Sequence, residues 1–412
     1  MKSDIDRGMK EKDIAAILVR GPAQHNANMT YFTGLVHLTG GYLLKILEHA
    51  PVLFCNEMER DEAASTGLEL RVLSDYEPMK LFEAAKGDNN LADAMLIEKI
   101  LREFDVKGKV SIYGQSEVGS SYSTYNMLQE RYPEVEIVGE SMMDSVLTLV
   151  RSTKDAEEVE RIRGMGKITA AVVADVIGFL ASHQAKDNVL VDRNGDALTI
   201  GDVKTKINIW LAMRGAENPS GSIFAIGRDA GVPHSSGTDG DPIPLGETIV
   251  FDIFPCEAGG GYFHDFTRTW CLGYATDESL ALYEDVLEVY ETVYDSIKPD
   301  VQTREYQLMT CELFEKKGHP TICSDPRTLD GYVHSLGHSL GLSIHEDPVF
   351  RHSVMNQTVI SPGTVFTIEP GLYYPDRGMG VRIEDTVWMK PDGELETLVD
   401  FPKDLVIKIS GG

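Results

Sequence analysis

Five segments of the chain each place a carboxylate or an imidazole on an expected strand or strand end. They are Thr248–Phe254 around Asp252, Gly261–Trp270 around Asp265, Gly337–Gly341 around His338, Phe366–Gly371 around Glu369, and Gly380–Asp385 around Glu384. An acid buried in such a strand costs several kcal/mol unless it is paired, hydrogen-bonded or bound to a cation. Asp265 follows a glycine-rich turn (Gly259–Gly261), so it returns on the strand next to the one carrying Asp252, and two acids on adjacent hairpin strands can share one ion. One neutral imidazole with four carboxylates is a hard, oxygen-rich set. It suits Mn²⁺, Co²⁺, Fe²⁺ or Mg²⁺ better than a structural thiolate zinc site.

Two other patterns fail. Gly337-His338-Ser339-Leu340-Gly341 matches G-x-S-x-G, but only His345 and His352 follow Ser339, which leaves no room for an acid and then a histidine at the ends of later strands. His345-Glu346 does not start an HExxH helix, because the fifth position is Val349.

The elements that must position these residues divide the chain near residue 150. Residues 1–150 alternate short apolar runs (Ile14–Val19, Tyr42–Leu47, Val52–Phe54) with amphipathic stretches near Met58–Ser65 and Leu91–Phe104. That alternation predicts an α/β domain with a mixed or parallel sheet. Val146–Val150 reads as a short strand, and a helix capped by Ser152 or Thr153 runs on through Leu180. In residues 151–412, helices are expected at about 201–215, 277–297 and 302–317. Strands are expected at Thr248–Phe254, Tyr262–Leu272, Val365–Ile368 and Gly380–Met389. Seven of the eleven histidines lie beyond residue 230, so the chemistry belongs to this second half.

Length and composition narrow the classes. The chain has 412 residues, more than one ordinary core, with 42% hydrophobic residues. Acidic residues outnumber basic ones by 65 to 38, for a net charge of −27. This works against nucleic acid and anionic membranes as partners. No uninterrupted apolar run approaches the ~20 residues of a span, and the N-terminal residues carry no segment of signal-peptide type. The five cysteines are scattered, form no CxxC pair and suggest no disulfide framework, which favours a reducing cytoplasm.

Taken together, the motifs VFD (Asp252), GYFHDFTRT (Asp265), HSLGHSLGLSIHE (His334 to Glu346), TIEPGLY (Glu369) and GVRIEDT (Glu384) resemble the pita-bread metallopeptidases. These include methionine aminopeptidase, aminopeptidase P and prolidase, with creatinase as a metal-free relative. Asn28–Gly34 and Leu149–Lys154 extend the resemblance to the creatinase/prolidase N-terminal domain. The spacing between Asp252 and Asp265 is longer than the family's usual one, with the extra length in Pro255–Gly261.

The resemblance implies a creatinase/prolidase-like domain over 1–150 and a pita-bread catalytic domain over 151–412, an α/β (α+β) architecture. It implies two divalent ions, Mn²⁺ first and Co²⁺, Fe²⁺ or Zn²⁺ as alternatives. Asp252 would hold one, His338 and Glu369 the other, and Asp265 and Glu384 would bridge both. A hydroxide between them would attack the scissile carbonyl, with Glu369 shuttling the proton. His234 and His345 would act on the substrate amide and the developing oxyanion, while His334 and Arg382 would line the substrate pocket. An N-terminal domain of this size favours the proline-specific branch: aminopeptidase P, on peptides beginning Xaa-Pro, or prolidase, on Xaa-Pro dipeptides. A homodimer is implied as well. The alternatives are a non-peptide amidohydrolase of creatinase or ectoine-hydrolase type, and a pita-bread domain kept only for binding.

Overall fold

A computed structural model describes residues 4–141 and 144–409. The chain forms two compact units: Met1–Arg151 with Gly259–Gly261, and Ser152–Ala258 with Tyr262–Gly412.

The first unit is a mixed sheet between helices. Its strands are β1 (Ala16–Arg20), β2 (Gly41–Ile46), β3 (Val52–Cys55), β4 (Glu69–Val72), β5 (Gly108–Gly114) and β6 (Val135–Val138), in the order β4-β3-β2-β1-β5-β6. β1 pairs antiparallel with β2 and parallel with β5. Ala16 and Leu18 enter one apolar cluster and Ile17 and Val19 another, because alternate side chains leave opposite faces of a sheet that is covered on both. The helices are α1 (Ile5–Glu11), α2 (Ala27–Thr33), α3 (Arg60–Ala64), α4 (Pro78–Ala84), α5 (Asn89–Glu103), α6 (Val118–Arg131) and α7 (Val146–Arg151). α7 replaces the strand expected at Val146–Val150. Its buried residues, Val146, Leu147 and Val150, recur at helical spacing, and the Ser145 hydroxyl accepts the Thr148 N–H at 3.1 Å.

The second unit opens with α8 (Ala156–Ala181), capped by Asp155 in a capping box with Glu158 rather than by Ser152 or Thr153. By length and composition α8 could cross a membrane, which a search for uninterrupted apolar runs passes over. Here Met165, Val172, Val173, Val176 and Leu180 pack in the unit's core. A hairpin, β7 (Gln184–Lys186) and β8 (Val189–Val191), leads to α9 (Ile200–Ala212). β9 (Ala216–Glu217), β10 (Ser222–Ile226), β11 (Thr248–Ile253), β12 (Cys256–Glu257) and β13 (Phe266–Leu272) follow, then α10 (Asp277–Ser296) and α11 (Thr303–Lys316). The remaining strands are β14 (His338–Ser339), β15 (Glu346–Val349), β16 (Val365–Ile368), β17 (Gly371–Tyr374), β18 (Met379–Arg382), β19 (Asp385–Met389), β20 (Leu395–Thr397) and β21 (Val406–Ile407).

Two sheets carry the expected ligand segments: β10-β11-β13-β21, and β15-β14-β16-β19-β20. α8 and α9 share an apolar cluster with the first, and α10 and α11 with the second. The sheets meet where Thr267 bridges Glu384, whose N–H donates to the Thr267 carbonyl at 3.1 Å. The strand expected over Gly380–Met389 is interrupted at Ile383-Glu384, so Glu384 stands at this junction rather than within a ladder.

Cys311 and Cys323 form a disulfide with a Cα–Cα distance of 6.2 Å, which corrects the reading that no pair forms. The chain folds back after α11 and Ile322 N–H bonds to Tyr332 O, a closure that cysteine spacing does not reveal. The inference of a reducing compartment loses that support.

Candidate metal centre

The five acid and imidazole positions converge at the sheet junction. Asp252 lies on β11 opposite Thr267 of β13, and Asp265, one residue before β13, is two positions from Thr267 and so on the same face. The longer loop between them leaves this ladder: Cys256–Glu257 pairs with β9, and Cys256 bridges Phe263. β16 and β19 pair through Ile368 and Asp385, so Glu369 and Glu384 follow as the next cross-strand neighbours.

Asp265, His338 and Glu384 are buried, and one ligand atom from each lies within 4.8 Å of the other two. His338 Nε2 is 3.5 Å from Asp265 Oδ2 and 3.7 Å from Glu369 Oε1. Its Nδ1 is 3.1 Å from the Ser339 carbonyl, which can only accept, so Nδ1 carries a proton and Nε2 is the nitrogen turned to the acids. Glu384 Oε2 accepts the Thr267 hydroxyl at 2.7 Å. Glu384 Oε1 and Asp252 Oδ1 are buried with no hydrogen-bond partner.

Burial, reinforced by neighbouring carboxylates, holds three of these acids well above the usual carboxylate range. The strongest neighbour is Asp252 for Asp265, Glu384 for Glu369, and Asp265 for Glu384. Crowded acids with two orphaned oxygens and an aimed imidazole nitrogen are what a divalent cation relieves, so the donor set fits the expected metals.

The other expected residues surround this set. Arg382 is buried, and its bonds run to the protein: Nη2 to Asp252 Oδ2 (2.7 Å), Nε to Thr267 Oγ1 (3.2 Å), and Nη1 to Tyr373 OH (2.8 Å) and Pro233 O (3.3 Å). His334 Nδ1 is 2.7 Å from the Ser335 carbonyl and therefore carries the proton. Its Nε2 then accepts the Tyr373 hydroxyl proton at 2.8 Å. Burial first, and then the Arg382 charge, push the His334 pKa down to about 3, so the ring is neutral at physiological pH. His345 has an exposed edge and packs against the His338 ring at 4.4 Å between centroids. Partial desolvation, with His338 and His234 nearby, lowers its pKa to about 4. His234 stands in an exposed turn.

Tyr373 and Thr267 escaped sequence reasoning, since neutral hydroxyls in apolar strands look like packing residues. Ser339, the false nucleophile, is fully buried and donates to Val365 O at 2.7 Å.

Fold and site together define a two-unit α/β protein with a buried carboxylate–imidazole centre. Residues 160–391 match metallopeptidase family M24, and residues 3–145 match the creatinase/prolidase N-terminal domain. The chain belongs to metallopeptidase family M24. It is 28% identical over 389 residues to the Xaa-Pro dipeptidase of Pyrococcus furiosus, covering 93% of each chain. It is also 28% identical over 390 residues to a putative dipeptidase of Bacillus subtilis, covering 92% of this chain and 93% of the relative. Among solved structures, the prolidase from Pyrococcus furiosus superposes with a TM-score of 0.72 at 25% identity, over 96% of this chain and 99% of that one. The X-Pro aminopeptidase from Thermotoga maritima shares the fold, with a TM-score of 0.74 at 22% identity over 98% and 100%.

Proposed function

We propose that this chain is an Xaa-Pro dipeptidase whose catalytic part is residues 151–412. Asp252, Asp265, His338, Glu369 and Glu384 hold two divalent ions, Mn²⁺ by preference. The observation that carries this reading is the buried cluster with its orphaned carboxylate oxygens, in a chain that aligns over 93% of its length with an Xaa-Pro dipeptidase. Bound divalent ions supply Lewis acidity and bring the pKa of water towards neutrality.

The chain's residues do the rest. The Glu369 side chain keeps 15% exposure, enough to meet water and substrate. Its carboxylate, 3.7 Å from His338 Nε2, is placed to take a proton from the attacking water and deliver it to the proline nitrogen. His345, neutral near pH 7, offers an N–H to the oxygen on which charge develops, and His234 faces the substrate amide. Arg382 holds Asp252 in place, and the Ser335 carbonyl and the Tyr373 hydroxyl hold the two ring nitrogens of His334, whose ring lines the leaving-group side. A tertiary Xaa-Pro amide has no N–H, so a site that grips the carbonyl and the leaving nitrogen does not need one. The homodimer belongs to this reading, and light scattering at twice the 45.5 kDa chain mass checks it.

The test is hydrolysis of an Xaa-Pro dipeptide and an Xaa-Pro tripeptide with Mn²⁺ and with chelator. Release of proline from the dipeptide, lost in chelator, is the expected result. Preference for the tripeptide would make the enzyme an aminopeptidase, and cleavage of small amidines alone would make it an amidohydrolase.

A further inference from the structure

One buried cation outside the expected site touches both ends of the loop that carries its two central histidines. Lys154 immediately precedes the Asp155 cap of α8, and its backbone N–H donates to Gly363 O at 2.8 Å. Its side chain is 1% exposed and ion-pairs with Glu346, itself 5% exposed, at 3.0 Å. The same ammonium donates to Ser339 Oγ at 3.2 Å. Ser339 and Glu346 are cross-strand partners of β14 and β15, so Lys154 clamps a register pair. Glu346 Oε1 also accepts the Ser343 N–H at 3.0 Å, and a Cβ on Gly341 would lie 2.7 Å from Glu346 and 2.9 Å from Lys154. The loop is therefore wound tightly around the ion pair.

His338 precedes Ser339 and His345 precedes Glu346. Each imidazole is thus one residue before a side chain that Lys154 holds, and the two rings pack against each other with centroids 4.4 Å apart. We infer that Lys154 is a positioning residue: by fixing Ser339 and Glu346 it sets where His338 meets the metal and where His345 meets the substrate. This rests on the function proposed above only for the role of His345. Its hold on His338 is independent of any substrate.

The direct probe is Mn²⁺ alone, titrated calorimetrically into metal-free protein. Lys154→Met strands a buried carboxylate, so the paired variant Lys154→Met/Glu346→Leu, which removes both charges, carries the test. Mn²⁺ affinity is expected to fall at least tenfold in folded protein, in the range that support residues around metal ligands command. The fall in kcat should exceed any rise in KM for a proline dipeptide. Parent Mn²⁺ affinity in the folded double variant would overturn the inference. If the double variant does not fold, Lys154→Gln/Glu346→Gln, which removes both charges and keeps polar side chains of similar size, decides by the same criterion. Failure of the parent to cleave any Xaa-Pro peptide would instead count against the proposed function alone.

Discussion

Within the centre, each side chain is fixed by a partner that also defines its chemistry. The Ser339 carbonyl sets the His338 tautomer, the Thr267 hydroxyl holds one Glu384 oxygen, and Arg382 takes one Asp252 oxygen. What stays unpaired, Asp252 Oδ1 and Glu384 Oε1, is what a cation would use. Glu369→Gln keeps the shape but cannot accept the proton, so kcat should fall by about 10²–10⁴ with the bound metal retained. Steady-state kinetics alongside metal analysis checks this, and near-parent turnover would remove Glu369 from the role. A proton effect follows from the raised acids. Asp265, Glu369 and Glu384 hold protons more tightly than ordinary carboxyls in the metal-free protein, and a divalent ion must displace them. Mn²⁺ affinity should therefore rise with pH above the ordinary carboxylate range, for as long as these acids still hold protons to be displaced. Calorimetry in two buffers of different ionisation enthalpy would read the released protons, and no release would contradict it.

Elements matter because the acids sit at strand ends and interruptions, where backbone geometry needs support from behind. Arg268 supplies it: fully buried, it donates to Glu384 O at 2.8 Å and Thr267 O at 3.0 Å and pairs with Asp385 at 2.7 Å. Tyr290 of α10 and Lys403 complete the Asp385 carboxylate. Asp385→Leu leaves a buried guanidinium unpaired, so unfolding free energy should drop by about 3–5 kcal/mol, read by denaturant melts. A loss under 1 kcal/mol would mean that Arg268 finds other partners. This support was only partly legible in the sequence. The acids stood out because Asp252 and Glu369 interrupt apolar runs, and Val365–Ile368 is a strand with the expected bounds. Val146–Val150 misled because a short run alternating Val or Thr with Leu fits a strand or a helix, and tertiary burial chose the helix. The break at Ile383-Glu384 comes from the second sheet meeting Thr267, a contact between distant segments that local pattern does not encode.

Over the whole molecule, 65 acids serve mainly as solvated surface, and the informative ones are the few at the junction of two sheets. Residues 3–145 match the creatinase/prolidase N-terminal domain and residues 160–391 match the M24 peptidases, so the reading as a proline-directed dipeptidase draws on both parts of the chain. Its most direct test is stepwise reloading of chelator-stripped protein with Mn²⁺, following bound metal and hydrolysis of an Xaa-Pro dipeptide in the same samples. The account predicts no turnover in the stripped protein and activity that saturates at two ions per chain. Full dipeptide hydrolysis without metal, or no hydrolysis with two ions bound, would contradict it.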